Sequence, residues 1–355
     1  MTRGRTSSQR IDVSAVSDDP VYLARLVTGW AMVQQFALAQ GIAVVWNSAR
    51  SVDAMLVLFV QACVDGSCKI YKAVAGILAV QHRLRFRRRL PRAWNAIRRW
   101  KMHLPSRSRP PLTSPLLQLF FARSLSLAAT SSGMDSVMWM ICGVLWCLGF
   151  HCLLRPGELS SLLRDDVVLP SESFERDFQI VVRIAMGKTR RMMPQQFCIL
   201  EDESTSQWLD WLFCDIPLGA AIWPWALRRL SYMFKTLALE FGIPQYTVGS
   251  LRSGGAVWYF KASKSLSTTV IKGRWLSEKS VLHYLTEAFG QFMRRRMPAS
   301  TVECLQDLVP RATALARPPA ARFAALAGPS FASYLVLARA AGRRLQDERD
   351  HAFRG

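Results

Sequence analysis

Apolar residues recur at three- and four-residue spacing along most of the chain, and that period predicts helices. In the first part it marks Tyr22 to Gln40, Ser51 to Cys63, Tyr71 to Leu84 and Arg92 to Met102, with breaks at Asn47-Ser48 and Asp65-Gly66. His103 to Leu112 (HLPSRSRPPL) then interrupts the pattern with three prolines and reads as an inter-domain linker. Beyond it the period predicts helices at Leu116 to Ala128 and Ser136 to Leu154, with a helix start at Pro156. Asp166 to Leu169 reads as a short strand. Phe178 to Ala185 and Met193 to Leu200 are rich in Ile, Val and Phe and read as strands joined by a hairpin, Met186-Gly-Lys-Thr-Arg-Arg191. Helical spacing returns at Ser204 to Cys214, Trp225 to Phe241, Ser250 to Ala262, Thr268 to Trp275 and Glu278 to Phe289. The expected fold class is therefore mostly α with a small antiparallel sheet. The expected organisation is a polar tail (1–19), a helical domain (20–104), a linker (105–112), a mixed α+β domain (113–299) and an Ala/Arg/Pro-rich C-terminal extension (300–355) holding one helix near Phe331 to Arg344.

Half of the 355 residues are hydrophobic, enough to build a core and to exclude a wholly disordered chain. Val137 to Leu154 carries no formal charge over 18 residues, the lower bound for a membrane span. No second such run exists and Arg155 follows directly, so a buried core helix is expected and no membrane partner. The polar start, Met1 to Asp19, lacks the apolar region of a secretory signal. The eight cysteines form no C-x-x-C pair and have no histidine at zinc-finger spacing. A reducing compartment, no metal and no cofactor are expected, and hence an intracellular protein, nuclear in a eukaryote and otherwise cytoplasmic.

Charge changes the picture. Lys and Arg total 46 against 25 Asp and Glu, a formal net charge of +21. From Gly66 to Met134 there is no acidic residue, while 14 Lys and Arg fall in those 69 positions. Like charges repel, so one-sign accumulation on this scale needs a polyanion, nucleic acid first and an anionic membrane second. The expected DNA contacts are Arg83, Arg85, Arg87, Arg88, Arg89, Arg92, Arg98, Arg99, Lys101, Arg107 and Arg109. Phosphate contacts of this kind are sequence-tolerant and salt-sensitive. Arg83 to Arg89 also fits a nuclear localisation signal.

Two segments carry candidate chemistry. One is Arg155-Pro-Gly-Glu158-Leu159. The other is Leu251-Arg252, followed 23 and 32 residues after Arg252 by Trp275 and Tyr284, with Lys188 on the hairpin between the two segments. In order and spacing this set resembles the tyrosine recombinase (phage integrase) family over about 110–290, and more loosely over 20–104 as its core-binding domain. The resemblance implies a C-shaped clamp around double-stranded DNA and self-association as a dimer or tetramer on it. It also implies that the segment after Tyr284 docks on a neighbour, and the setting of a mobile-element integrase. Tyr284 would be the nucleophile, Arg155 and Arg252 bidentate phosphate donors, Lys188 the acid for the leaving oxygen, and Trp275 an indole N–H donor, with Glu158 supporting Arg155. The family usually has histidine three residues before the second arginine. Here that position is Gly249, which neither takes nor gives a proton. His283 does not replace it, because neighbouring helical positions point about 100° apart.

Each residue also has a structural reading. Tyr284 and Trp275 fit core aromatics, Arg155 a partner for Glu158, and Lys188 a solvated hairpin tip beside Arg190 and Arg191. Gly254-Gly255 lacks the context of a phosphate loop and fits close helix packing. Three functions follow from the set: a recombinase working through a 3′-phosphotyrosyl intermediate, a catalytically weakened DNA-binding protein of the same fold, or a relaxing enzyme of type IB topoisomerase character.

Overall fold

The computed structural model describes residues 20–85, 90–103, 110–173, 179–185, 196–282, 297–311, 318 and 328–354. The fold is mostly helical with one small antiparallel sheet, as the hydrophobic pattern predicts. The chain divides into two compact units between Arg107 and Ser108.

The first unit is built from α1 (Pro20–Ala39), α2 (Ala49–Asp65), α3 (Ile70–Arg83) and α4 (Pro91–His103). Helix α1 packs on α3 and α2 on α4, around Val33, Leu56, Phe59, Ile77, Val80, Leu90 and Ile97. The apolar stripe of α4, Ala93 and Ile97, is buried in this core, so Arg92, Arg98, Arg99 and Lys101 fall on the solvent side. Its start is fixed from a distance. The buried Asp53 carboxylate on α2 accepts the Arg92 amide at 3.0 Å and the Ala93 amide at 2.8 Å, satisfying donors that a helix N-terminus leaves open.

The second unit is organised around α6 (Gly133–His151), which lies against α5 (Ser114–Thr130). Among the described residues α6 is the one helix long and apolar enough to cross a membrane, and 78% of its apolar window is buried inside the unit. Its Trp146 meets Phe120 and Phe234 edge-on, at 6.0 and 5.4 Å between ring centres. Phe234 comes from α9 (Leu227–Glu240), and α8 (Glu203–Phe213) covers another side. Helix α10 (Gly249–Ser263) crosses both α5 and α6, and Gly254 and Gly255 make this crossing possible. A Cβ on Gly254 would stand 1.8 Å from the Leu112 carbonyl oxygen, and one on Gly255 would stand 2.0 Å from that of Phe150. Close packing is thus the role of this glycine pair.

Strands β1 (Val167–Val168), β2 (Ile180–Arg183) and β3 (Phe197–Leu200) form the sheet in that order, all antiparallel. Ile180 pairs with Leu200 and Arg183 with Phe197, so Ile180, Val182, Cys198 and Leu200 face the core. The strand expected from Asp166 is shorter, because Arg164–Asp166 is a 3₁₀ turn ahead of β1.

Two boundaries move. Pro110, Pro111 and Leu112, read from sequence as the end of a linker, are buried in the second unit, and the Leu112 amide donates to Ser250 O at 3.0 Å. Residues beyond 299 also belong to this unit. A helix at Ala299–Arg311 packs on α5, with Thr301 Oγ1 donating to Phe241 O at 2.7 Å. The C-terminal helix, Pro329–Arg354, is longer than its apolar pattern predicts and buries Phe331, Tyr334, Ala338 and Ala341 against its own chain. Tyr334 Oη donates to Ile222 O at 3.0 Å, and the Ala221 amide donates to Ala338 O at 2.8 Å. The segment directly after Tyr284 lies outside the described residues as far as 296, while the helix Pro329–Arg354 sets its apolar face on its own unit.

Candidate active site

The site is organised by the way α6 ends. Cys152 caps the helix, Leu153 takes the left-handed conformation (φ 51°), and the Leu154 amide returns to Gly149 O at 3.0 Å. The chain leaves extended through Arg155 into the short helix α7 (Pro156–Ser160), whose first residue is a proline with φ already suited to a helix. Glu158, in the first turn of α7, reaches back to accept the Arg155 amide at 2.9 Å.

Three guanidiniums converge on the Glu158 carboxylate. Arg155 Nη1 donates to Oε1 at 2.6 Å, Arg274 Nη2 donates to Oε2 at 3.1 Å, and Arg252 Nη1 stands 3.9 Å from Oε2. The carboxylate is 2% exposed, so the pairs lie in a low-dielectric setting. Burial alone would push the Glu158 carboxyl up. The Arg274 charge, the Arg155 amide and the Arg155 and Arg252 charges outweigh it and hold the group below its ordinary value. One negative charge thus faces three fixed positive ones.

The three arginines differ in what they offer a ligand. The Arg155 side chain is 26% exposed and can reach a group outside. Arg252, from α10, is buried, with Nη1 donating to Leu153 O and Nη2 to Gly273 O at 2.6 Å. Both terminal nitrogens donate to backbone oxygens in this conformation. Trp275 lies over the same guanidinium, its ring centre 4.6 Å from Cζ. The Trp275 ring is buried, in a small cluster with Leu153, Ala256 and Val281. Val281 belongs to α12 (Glu278–Leu282), which follows α11 (Leu266–Lys272). Gly249 is the first residue of α10, one turn ahead of Arg252, and brings no side chain.

The structure therefore brings together Arg155, Glu158, Arg252 and Trp275. Lys188 and Tyr284 lie outside the described residues, as do Arg87, Arg88, Arg89, Arg107 and Arg109. Arg83, Arg85, Arg92, Arg98, Arg99 and Lys101 are all exposed on the first unit, where Arg83 also lies over the Trp30 ring at 4.8 Å. Arg92 and Arg99 border a cavity of about 580 Å³ between α2 and α4, with Asn95 and Trp100 beside them. Among the described residues no group of three or more His, Cys, Asp and Glu is placed to hold a metal ion.

Two residues that matter here are not singled out by the sequence pattern. Arg274 is hidden beside the more conspicuous Trp275, and its one signal is a cation directly before a candidate site residue. Asp53 interrupts an apolar stretch of α2, an acid where the helical period calls for a core residue.

No family model matches the chain, and no curated protein matches it in sequence. Among solved structures 23 chains match. They include the crystal structure of the XerH site-specific recombinase bound to difH substrate, a pre-cleavage complex, at a TM-score of 0.48 and 12% identity, covering 73% of this chain and 75% of that one.

Proposed function

We propose that the protein is a DNA strand transferase that cuts and rejoins duplex DNA through a tyrosyl phosphodiester. The carrying observation is the Glu158 cluster, where Arg155, Arg252 and Arg274 surround one buried carboxylate. Its excess positive charge suits an anion, and Arg155 is the partly exposed member that a phosphate meets. The sequence supplies the remaining groups at the spacing of the resemblance. The Tyr284 oxygen attacks phosphorus, the bond to the 5′ oxygen breaks, and Lys188 gives that oxygen a proton. The phenol proton leaves to water, since Gly249 offers no base. A 5′ hydroxyl reverses the step by attacking the tyrosyl phosphodiester and releasing Tyr284. Bond energy is kept in the covalent link, so the step needs no nucleotide triphosphate. The exposed cations of α4 hold the duplex. A mobile-element integrase acting as a dimer or tetramer inside the cell is the setting of this reading.

Gly249 favours a second reading, a DNA-binding protein with weakened chemistry, because loss of one acid–base group costs about 100-fold or more in rate. A duplex nicked near the scissile phosphate tests both. A covalent adduct that disappears in Tyr284→Phe establishes transfer. No adduct from the wild type, with one gained in Gly249→His, establishes the binding protein. An adduct unchanged in Tyr284→Phe removes the assignment of the nucleophile.

A further inference from the structure

We infer that Arg274 is a positioning residue for the phosphate site, holding Glu158 and the Cys152–Leu154 turn so that Arg155 faces its ligand. The inference rests on the strand-transfer reading above and adds to it a residue that does not itself touch substrate.

The geometry carries it. Arg274 follows α11 and its side chain turns inward, 3% exposed. Nη2 donates to Glu158 Oε2 at 3.1 Å and to Leu153 O at 3.2 Å, while Nη1 donates to Cys152 O at 3.2 Å. One planar group thus joins the carboxylate that orients Arg155 to the two carbonyls of the turn that delivers Arg155. The five donors of a guanidinium suit this task, and a lysine ammonium, a point charge, does not reach all three acceptors together. Arg274 also adopts φ 55°, a left-handed backbone that a non-glycine residue takes up only when its surroundings require it. Leu153, the residue it grips, has φ 51°. Two uncommon backbone conformations are held against each other by this side chain, next to the one arginine of the cluster that solvent reaches.

The three arginines share Glu158 unequally. Oε2 accepts both the Arg155 amide and Arg274 Nη2, while Arg252 stays 3.9 Å away on its own carbonyl partners. The groups that face Glu158 are Arg155 just ahead of α7, Arg252 on α10 and Arg274 itself. The thiols of Cys152 and Cys198 and Lys272 on α11 lie nearby. Of the charges on Glu158, that of Arg274 opposes burial most strongly.

The test uses the full chain with Arg274→Lys and Arg274→Gln. Adduct formation on the nicked duplex is followed against pH, duplex affinity and melting are measured alongside, and the Glu158 carboxyl is titrated by carbon-13 NMR, assigned with Glu158→Gln. The expected result for Arg274→Lys is a folded protein with near-normal duplex affinity and cleavage slower by about 100-fold, the scale of a small misplacement of a reacting group. In Arg274→Gln the Glu158 titration moves to higher pH, and the acid limb of any remaining cleavage moves with it. Wild-type cleavage and an unchanged acid limb in Arg274→Lys overturn the inference. A Glu158 titration that does not move in Arg274→Gln overturns it as well, and so does failure of both variants to fold, which makes the role structural only. If the wild type forms no adduct, the strand-transfer reading falls, while the titration still decides whether Arg274 governs Glu158.

Discussion

Arg349 and Asp166, 183 positions apart in the chain, form a buried ion pair in which both terminal guanidinium nitrogens meet the two carboxylate oxygens. Arg349 also donates to Ser161 O at 2.8 Å, so the C-terminal helix is tied to the turn between α7 and the sheet. Asp166 keeps a second partner, Arg183, at 3.0 Å, but that side chain is half exposed. Removing Arg349 leaves Asp166 buried and mostly uncompensated. Arg349→Met is therefore expected to lower unfolding free energy by about 3 kcal/mol. The exposed Arg344, on the same helix, is the control, and Arg344→Ala is expected to stay within about 0.5 kcal/mol. Denaturant midpoints of the two variants measure the difference.

Glu158 makes stability depend on acid. Its carboxyl is held below the ordinary value in the folded state, so folding favours the ionised form. That stability is fully present above the unfolded value of about 4.3 and is lost as pH falls through the lower folded value. Glu158→Gln removes this acid-side dependence. It also leaves three guanidiniums without their shared countercharge, at a cost of about 3 kcal/mol near neutrality. Melting temperatures of both proteins between neutral and acid pH check the slope. A Gln variant that loses stability as steeply as the wild type points to other carboxylates.

The α10 crossing leaves no room for a methyl group. In Gly254→Ala the new carbon meets backbone, which cannot rotate away as a side chain does. A loss of about 3 kcal/mol or more is expected, the upper range for overpacking. Gly157 in α7 has nothing within 4 Å of its would-be Cβ. Gly157→Ala is expected to be neutral or stabilising by up to about 1 kcal/mol, from helix propensity alone. Soluble yield and midpoint of the pair check the packing.

Asp53 links the core of the first unit to its basic surface. Asp53→Ala leaves the first amides of α4 without their acceptor and is expected to cost about 2 kcal/mol. Duplex affinity falls with it, because Arg92, Arg98, Arg99 and Lys101 ride on α4. Replacing Arg98, Arg99 and Lys101 by Gln is expected to keep the fold and weaken binding to all sequences alike. The slope of log affinity against log salt falls by about 0.9 for each phosphate that is no longer neutralised. Filter binding at several salt concentrations measures it, and an unchanged slope removes α4 from the interface.

What the sequence made legible follows from period and punctuation. The helices stand where apolar residues repeat, with ends shifted by a few residues because caps such as Ser48 and Asp202 lie outside the apolar stripe. The Arg155-to-Glu158 pair was readable because its partners are one helical turn apart. Arg274 and Glu158 are 116 positions apart, and no local pattern encodes such a meeting. The burial of Arg252 was hidden for the same reason, since it depends on how α10 faces the end of α6, whereas a core place for Trp275 was among the sequence readings. The last helix was read short because its second half, from Arg343 onward, is largely charged, although Arg349 within it is among its most buried side chains.

The tie between Arg349 and Asp166 also sets an order of events during synthesis. The first unit has all of its described helices by His103 and can fold while translation continues, as domains generally do. The second unit gains the Asp166–Arg349 pair and the Tyr334 hydrogen bond only once the helix bearing both side chains has been made. Until then Asp166 lacks its Arg349 partner and Ser161 O lacks its donor. The end of α7 is thus held through Ser161 by a side chain made 188 positions later.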